Sequence, residues 1–236
     1  MNGDVLWLVS IGAVPGILAI TLHEASHGFV AHLFGDDTAW NAGRVSANPF
    51  RHIDPFGTIL LPAILLLARS PFLFGYAKPV PINFWALRNP KRDMIWVAAA
   101  GPLSNILMAL AAGLLAHLTF LLPDGLAKDW LSDSFEFAAL INVVLAVFNM
   151  IPLPPLDGGR VAVGLLPRPL AMRLARIEPY GLPILIGLLI VLPLIGSDIL
   201  HRDLDLVRYI VAGPVSFIFR VIATVTGNPD WLSLND

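Results

Sequence analysis

Residues 5–35 read VLWLVSIGAVPGILAITLHEASHGFVAHLFG, an apolar run with a single charged residue, Glu24. About 20 mainly apolar residues are enough for a helix to cross a bilayer, so the run predicts a membrane-spanning helix. A carboxylate inside such a helix costs about 3 kcal/mol or more unless pairing or function compensates for it. The neighbours of Glu24 offer that compensation, because His23 and His27 flank it in the pattern H-E-x-x-H.

This pattern predicts a metal site. Two histidines four residues apart lie one turn apart on the same face of a helix, so both imidazoles can bind one metal ion. Glu24 stands beside them and can take a proton from the water that the metal activates. The alternative is a helix that happens to hold two histidines and a glutamate, which would leave three polar side chains in lipid at high cost.

The composition extends the membrane interpretation to the whole chain. Of its 236 residues, 56% are hydrophobic and 14% are charged, whereas soluble domains contain about 25% charged residues. The net charge of −2 indicates no basic face, so we expect no nucleic-acid partner. The sequence therefore predicts an all-α polytopic membrane protein with about five to six transmembrane helices.

Further stretches qualify as spans. Four of them carry at most one Asp, Glu, Lys or Arg over their apolar part, and they are 94–122, 137–156, 181–197 and 209–229. A shorter run, 56–68, is brief for a crossing. We expect it to be a re-entrant or β-hairpin element after the first helix, which is tolerated where protein covers its backbone. A sixth full span is the alternative.

The charged loops favour five spans. Basic residues concentrate in two segments and acidic residues in a third: Arg69, Lys78, Arg88, Lys91 and Arg92; Arg160, Arg168, Arg173 and Arg176; and Asp124, Asp129, Asp133 and Glu136. The positive-inside rule puts the two basic segments in the cytoplasm and the acidic one outside. With 56–68 not crossing, the first helix and the 137–156 segment both run inward.

A catalytic zinc site needs a third protein ligand and an open position for water. Asp157 is the candidate, since it follows the uncharged segment 137–156 and a group of prolines at 152, 154 and 155. Prolines break the helix, and irregular backbone at membrane depth lines a site or a cavity. The alternative is a plain cytoplasmic Asp-Gly-Gly turn, and the local sequence leaves both possibilities open.

The chain resembles the site-2 protease family of intramembrane zinc metalloproteases, in its compact prokaryotic branch without a PDZ or CBS domain. The matching motifs are HEASH at 23–27, AGPLSN at 100–105 and NMIPLPPLDGG at 149–159, with NPFRHIDP at 48–55 and AKPVP at 77–81. The resemblance covers residues 23–160, and the last two spans are generic. It implies one membrane-embedded metalloprotease domain over 1–236, with a core at 5–160 and accessory helices at 181–228.

The resemblance also assigns roles. It implies that His23, His27 and Asp157 bind one Zn²⁺ and that Glu24 is the general base. Asn149 and Asn105 are the implied substrate-binding residues. Gly101 and Asn105 match the G-x-x-x-N element of the family, whose role is helix packing or substrate placement.

The expected function is hydrolysis of peptide bonds within or near transmembrane segments, as in regulated intramembrane proteolysis. The expected partners are the lipid bilayer and a membrane-protein substrate with a transmembrane helix. We expect a multi-pass protein of the cell membrane with its active site near the cytoplasmic side. From 36–55 and 70–85 we expect a small sheet edge that adds the substrate as a strand. The alternatives are a membrane metal or ion transporter, which needs no Glu between two ligands, and an inactive protease-like scaffold, against which the intact ligand set argues.

Overall fold

The computed structural model describes residues 2–60, 63–64, 67, 77–195 and 206–235. We number its α-helices in chain order: α1 Asn2–Leu33, α2 Thr38–Asn41, α3 Pro90–Leu115, α4 Leu126–Asn149, α5 Asp157–Leu165, α6 Arg168–Ala175, α7 Glu178–Ile186, α8 Leu192–Ile195 and α9 Leu206–Thr226. Short 3-10 segments are Pro49–Arg51, Phe84–Ala86, Ala116–Leu121 and Pro229–Asn235, and π-helical segments are Pro55–Leu60 and Gly187–Val191. The described residues contain no β-strand.

The prediction of an all-helical membrane protein is confirmed. Within the described ranges, four helices are long and apolar enough to cross a bilayer: Leu6–Leu33, Pro90–Leu121, Leu126–Asn149 and Tyr209–Thr226. The predicted span at 181–197 is helical as far as Ile195, but in pieces with a π-helical segment between α7 and α8, and residues 196–197 lie outside the described part. The count of five or six spans therefore stays a prediction.

The predicted element at 56–68 falls mostly outside the described residues. Its first part lies in the π-helical segment Pro55–Leu60, and residues 61–62, 65–66 and 68 are not described. The predicted sheet edge has no strand in its described part, where 77–83 runs without helix or strand, and 70–76 lie outside. The re-entrant or β-hairpin element stays a prediction.

Helix α3 is the centre of the bundle and packs against α1, α4, α5 and α9. Its contacts are made largely by alanine and glycine, which let membrane helices approach closely. A second group of contacts is a hydrophobic cluster that joins the C-terminal half of α3 to α4 and α9. Its buried members are Ala109, Ala112, Ala116, Ala139, Val143, Phe219, Ile222, Ala223 and Trp231.

Hydrogen bonds show which helix ends are neighbours. Near the starts of α1 and α4, Trp7 Nε1 donates to Asp133 Oδ2 at 2.8 Å. At the opposite end, the Arg88 amide donates to the Phe34 carbonyl at 3.0 Å. The chain therefore leaves α1 and enters α3 at the same end of the bundle. Because α4 also finishes there, the residue that starts α5, Asp157, lies at the end of the bundle where α1 finishes.

Candidate metal centre

Three predicted ligands meet between α1, α3 and α5. His23 and His27 lie one turn apart on α1, and Asp157 is the first residue of α5. The Nε2 atoms of the two histidines are 3.2 Å apart. Asp157 Oδ2 is 3.1 Å from His23 Nε2 and 3.4 Å from His27 Nε2. All three residues are buried, and we call this group the ligand triad.

The glycines after Asp157 explain how it reaches the triad. A Cβ at Gly158 would overlap the backbone of Met150 and Ile151, and one at Gly159 would overlap the backbone of Leu153 and Pro154. Without side chains at these two positions, α5 can start directly against the loop that leaves α4. Asp157 thus lies at a helix N-terminus that follows irregular backbone, where a carboxylate is favoured.

The far side of each imidazole is held by a hydrogen-bond acceptor. His27 Nδ1 is 2.7 Å from the Val97 carbonyl, which can only accept, so Nδ1 carries the proton and donates. His23 Nδ1 lies 2.5 Å from Asn105 Oδ1. Partners of this kind fix the tautomer and the ring orientation of metal-binding histidines. Both Nε2 atoms are then left with a lone pair that faces the centre of the triad.

The chemistry of the triad fits a zinc ion. Asp157 Oδ2 is buried and has no hydrogen-bond partner among the described residues. Three electron-pair donors at this spacing repel one another unless a cation lies between them. Tetrahedral zinc with bonds of 2.0–2.1 Å places its ligand atoms about 3.3 Å apart, close to the observed separations. Two imidazoles and a carboxylate also form the three-ligand set that leaves one position open for catalysis.

Gly101 on α3 leaves room beside the triad. A Cβ built on it would lie 2.5 Å from His27 Nε2 and 2.6 Å from His23 Nε2. Any side chain at this position would therefore fill the space between the two imidazoles. The G-x-x-x-N element thus has two distinct contacts with the triad: Gly101 leaves space next to Nε2, and Asn105 holds Nδ1 of His23.

Glu24 lies beside the triad on α1, and its side chain is bound to the backbone of a later segment. Its Oε2 accepts a hydrogen bond of 2.9 Å from the Val80 amide. Within the described residues, Arg220, the basic residue in the later span 209–229, is exposed on α9 and forms no ion pair with Glu24. The described contact of the Glu24 carboxylate is thus a backbone N–H, which orients it.

The segment that carries Val80 is itself tied down. The Lys78 amide donates to the His52 carbonyl at 2.9 Å, and the Arg44 guanidinium donates to the Lys78 carbonyl at 2.7 Å. His52, which accepts the bond from Lys78, is held in turn through its ring, since its Nε2 lies 3.0 Å from the Ser46 carbonyl. Burial lowers the pKa of this imidazole. We call residues 77–83 the strap, because this segment without helix or strand holds the Glu24 carboxylate.

The two predicted substrate-binding residues are placed differently. Asn105 is fully buried and contacts His23, so it belongs to the surroundings of the triad. Asn149 is the last residue of α4 and half-buried, and its amide donates to the Leu145 carbonyl of its own helix at 3.0 Å. In the described part of the chain, no hydrogen bond joins Asn149 to the triad. Both substrate roles stay predictions.

Sequence reasoning missed three groups around the triad: the Val97 carbonyl, the Val80 amide and Asn142. The backbone groups leave no trace in the sequence. Asn142 is buried, and its Oδ1 accepts a hydrogen bond of 2.7 Å from Asn105 Nδ2. Its signal is an amide side chain within the uncharged stretch 137–156.

Comparisons with known proteins identify relatives of this chain. The family model described as peptidase family M50 matches residues 121–192. The chain is 36% identical over 207 residues to "Putative zinc metalloprotease YwhC" of Bacillus subtilis, covering 86% of this chain and 90% of that protein. It is 31% identical over 142 residues to "Putative zinc metalloprotease Rip2" of Mycobacterium tuberculosis, covering 60% and 52%. No solved structure matches the chain.

A metalloprotease ligand set inside a bundle of apolar helices defines a class, the membrane metalloproteases. This chain belongs to peptidase family M50, the site-2 protease family, and zinc is its cofactor. A more distant relative, "Putative zinc metalloprotease MJ0611" of Methanocaldococcus jannaschii, is 28% identical over 160 residues, which are 66% of this chain and 70% of that protein.

Proposed function

We propose that this protein is an intramembrane zinc metalloendopeptidase of the site-2 type, which hydrolyses peptide bonds within or near the transmembrane segments of other membrane proteins. The observation that carries the proposal is the position of the triad. His23 and His27 lie in the last third of an apolar helix that is long enough to span a bilayer, and Glu24 lies between them. A protease site at this depth meets peptide bonds that water-exposed proteases do not reach.

The chemistry divides between the cofactor and the chain. His23, His27 and Asp157 would hold the zinc, which would supply a Lewis acid to polarise the scissile carbonyl and activate water. Glu24 would accept a proton from the attacking water and pass it to the leaving amine. The hydrogen bond from the Val80 N–H to Oε2 of Glu24 holds the carboxylate in place for this transfer.

Substrate handling follows from the membrane setting. A transmembrane helix hides its peptide bonds in internal hydrogen bonds, so the scissile region must unwind before it can react. The unwound backbone then needs polar partners. We assign this task to Asn149, at the end of α4, and to backbone groups of the strap. Pro79 and Pro81 have no N–H, so their carbonyls are the backbone groups that they offer to a substrate.

The charge distribution supports a site near the cytoplasmic face of the cell membrane. The end of the bundle that holds the triad also carries Arg88, Lys91 and Arg92 at the start of α3, whereas Asp129 and Asp133 lie at the start of α4. The positive-inside rule places the basic end in the cytoplasm. Water would then enter the site from that side.

The test is the Glu24→Gln variant in cells that produce the full chain. Its amide cannot accept the proton, so membrane-protein fragments that end within transmembrane segments should appear with the wild type and be absent with the variant. Glu24→Asp should be nearly as poor, because its carboxylate is withdrawn by about one bond. Purified Glu24→Gln should keep its zinc and its thermal stability.

Ser26→Ala is the matched control. Ser26 lies within the same motif, and its hydroxyl donates to the Leu22 carbonyl of its own helix. The control should give the wild-type fragment pattern. A Glu24→Gln protein that still generates those fragments would remove Glu24 from the mechanism, and equal patterns with and without the wild-type protein would contradict the protease assignment.

A further inference from the structure

A chain of buried hydrogen bonds leads away from the triad into α4. His23 Nδ1 lies 2.5 Å from Asn105 Oδ1, and Asn105 Nδ2 lies 2.7 Å from Asn142 Oδ1. The chain ends where Asn142 Nδ2 meets the carbonyl of Ala138 at 2.8 Å. Asn105 is 0% exposed and Asn142 is 3% exposed, so water does not compete for these groups. Three helices are thereby joined through side-chain amides to one metal-binding imidazole.

The chain can run in one direction only. The Ala138 carbonyl has no hydrogen to give, so Asn142 must turn its NH₂ group toward it and its oxygen toward Asn105. Asn105 must then donate to Asn142, and its second N–H points toward the Ala19 carbonyl at 3.4 Å. A flipped Asn105 would set its oxygen against two acceptors in a buried place, which is costly.

The direction of the chain determines where His23 carries its proton. With the oxygen of Asn105 facing the ring, Nδ1 must be the protonated nitrogen, and Nε2 keeps the lone pair that a metal needs. If Asn105 turned its NH₂ group toward the ring, Nδ1 would become the acceptor and the proton would move to Nε2. That tautomer cannot bind a metal through Nε2.

We propose that Asn142 is a positioning residue of the metal centre: its amide fixes the orientation of Asn105, which keeps His23 in the tautomer that binds zinc. Asn142 touches neither the metal nor the substrate and acts through Asn105. The inference rests on the proposed metal role of His23. It also gives the Asn of the G-x-x-x-N element a task at the ligand itself.

A comparison within α4 separates this role from ordinary packing. Ser134 is also buried, and it also donates to the carbonyl four residues earlier on the same helix, that of Trp130. Among the residues that the structure describes, no hydrogen bond links Ser134 to the triad. A role in folding applies equally to both residues, whereas a role in zinc binding applies to Asn142 alone.

The experiment measures zinc affinity of the purified full chain by competition with a chelator, with thermal stability recorded alongside. Asn142→Leu and Asn142→Ala both remove the acceptor for Asn105, the first with more bulk and the second with less. Each should bind zinc about 3- to 10-fold more weakly, because outer-shell changes at metal sites typically cost 10- to 100-fold and Asn142 is one step further out. Ser134→Ala should bind zinc like the wild type.

An Asn105→Asp background makes the test decisive. A carboxylate has no N–H to turn toward the ring, so it keeps Nδ1 of His23 protonated whether or not Asn142 is present. Its second oxygen then faces Asn142 Oδ1 and the Ala19 carbonyl, so this background should be less stable than the wild type, and zinc affinity is compared within it. Adding Asn142→Ala to this background should cause no further loss of zinc affinity, and the two changes should be non-additive. A stability defect unrelated to the tautomer would instead persist in both backgrounds.

Three results would overturn the inference: wild-type zinc affinity in both Asn142 variants, an equal loss in the Asn105→Asp background, or a wild-type chain that binds no zinc. The last of these would also remove the ligand assignment. A chain that binds zinc and responds to Asn142 as expected, but cleaves no membrane protein, would leave this inference standing and contradict the proposed function alone.

Discussion

The two halves of α3 are both lined with small residues, but they use them in opposite ways. At the metal end, the missing side chain of Gly101 leaves a space bordered by His23 and His27. At the far end, the missing side chain of Gly113 lets α9 come so close that a Cβ would meet Thr226. Gly101 leaves open space beside the triad, whereas Gly113 lets the neighbouring helix occupy the space. The two glycines of α3 thus differ in the neighbour that a Cβ would contact, the histidine pair at Gly101 and Thr226 at Gly113.

The largest effect is expected from Gly101→Ala. The added methyl group would lie within 2.6 Å of both Nε2 atoms, so it would occupy the space beside the metal and turn the imidazoles away from it. Zinc affinity should fall by at least about 100-fold, the upper end of what outer-shell changes cost at metal sites. Elemental analysis after purification should find little zinc, and proteolysis should be absent.

Gly113→Ala is the control for that result. Its methyl group would meet the Cβ and Cγ2 of Thr226 at 2.9 Å, and overpacking of this kind costs about 1–3 kcal/mol of stability. The expected outcome is a lower melting temperature with unchanged zinc content. If both variants lost zinc equally, the difference between the two halves of α3 would be one of stability only.

The three candidate ligands, which lie together in the structure, could be predicted from the sequence because the histidine pair is a local signal and the family resemblance adds Asp157. His23 and His27 are four residues apart on one helix, and Asp157 follows a group of prolines at the end of an apolar segment. The comparison of Gly101 with Gly113 was not available from the sequence. Both glycines lie in the same apolar helix, and the neighbour that distinguishes them, a histidine pair or Thr226, is far away along the chain.

A smaller effect is expected from Asn149→Ala. Asn149 lies at the metal end, and its amide reaches its own helix rather than the triad. If it binds the unwound backbone of the substrate, its loss should lower turnover about tenfold, the effect of one hydrogen bond worth about 1.4 kcal/mol. Zinc content and thermal stability should stay near the wild-type values. A large loss of stability at equal turnover would make Asn149 a structural residue.

The next effect in size concerns the strap. A Cβ at Gly28 would lie 2.9 Å from Ala39 Cβ and from Val45 Cγ2, and 3.1 Å from Val80 Cγ1. Gly28→Ala should therefore push these side chains, and with Val80 the strap, away from α1 and lengthen the hydrogen bond from Val80 to Glu24. We expect turnover to fall about 2- to 5-fold, in line with a weakened hydrogen bond of about 0.5–1 kcal/mol, while zinc binding is kept.

Gly16→Ala is the matched control on the same helix, since a Cβ there meets nothing within 4 Å. It should leave turnover and zinc unchanged. Loss of zinc in Gly28→Ala would show that the strap supports the triad itself, and unchanged turnover would remove the Val80 contact from the positioning of Glu24.

Apolar composition alone leaves the number of spans open. The run 181–197 is as uncharged as a span, and its described part is helical from α7 through a π-helical segment into α8, with Pro183 inside α7. Because residues 196–205 lie outside the described part, the crossing by this run stays a prediction. The order of the ends is better determined, because Arg88 and Phe34 join the start of α3 to the end of α1.

The mildest changes test that order of ends, and they should leave activity and zinc unaltered. The chain has no cysteine, so a single exposed Cys reports its own side of the membrane. Ala42→Cys and Asn89→Cys lie at the metal end, and Ala127→Cys lies beside the acidic start of α4. In intact cells, an impermeant thiol reagent should label Ala127→Cys alone, and the other two should react only after permeabilisation.

Opposite behaviour of positions 42 and 89 would mean that the chain crosses the membrane between them, which would contradict the shared end of α1 and α3 and restore a sixth span. Labelling of both from outside, with position 127 protected, would keep the fold but place the metal end outside the cell.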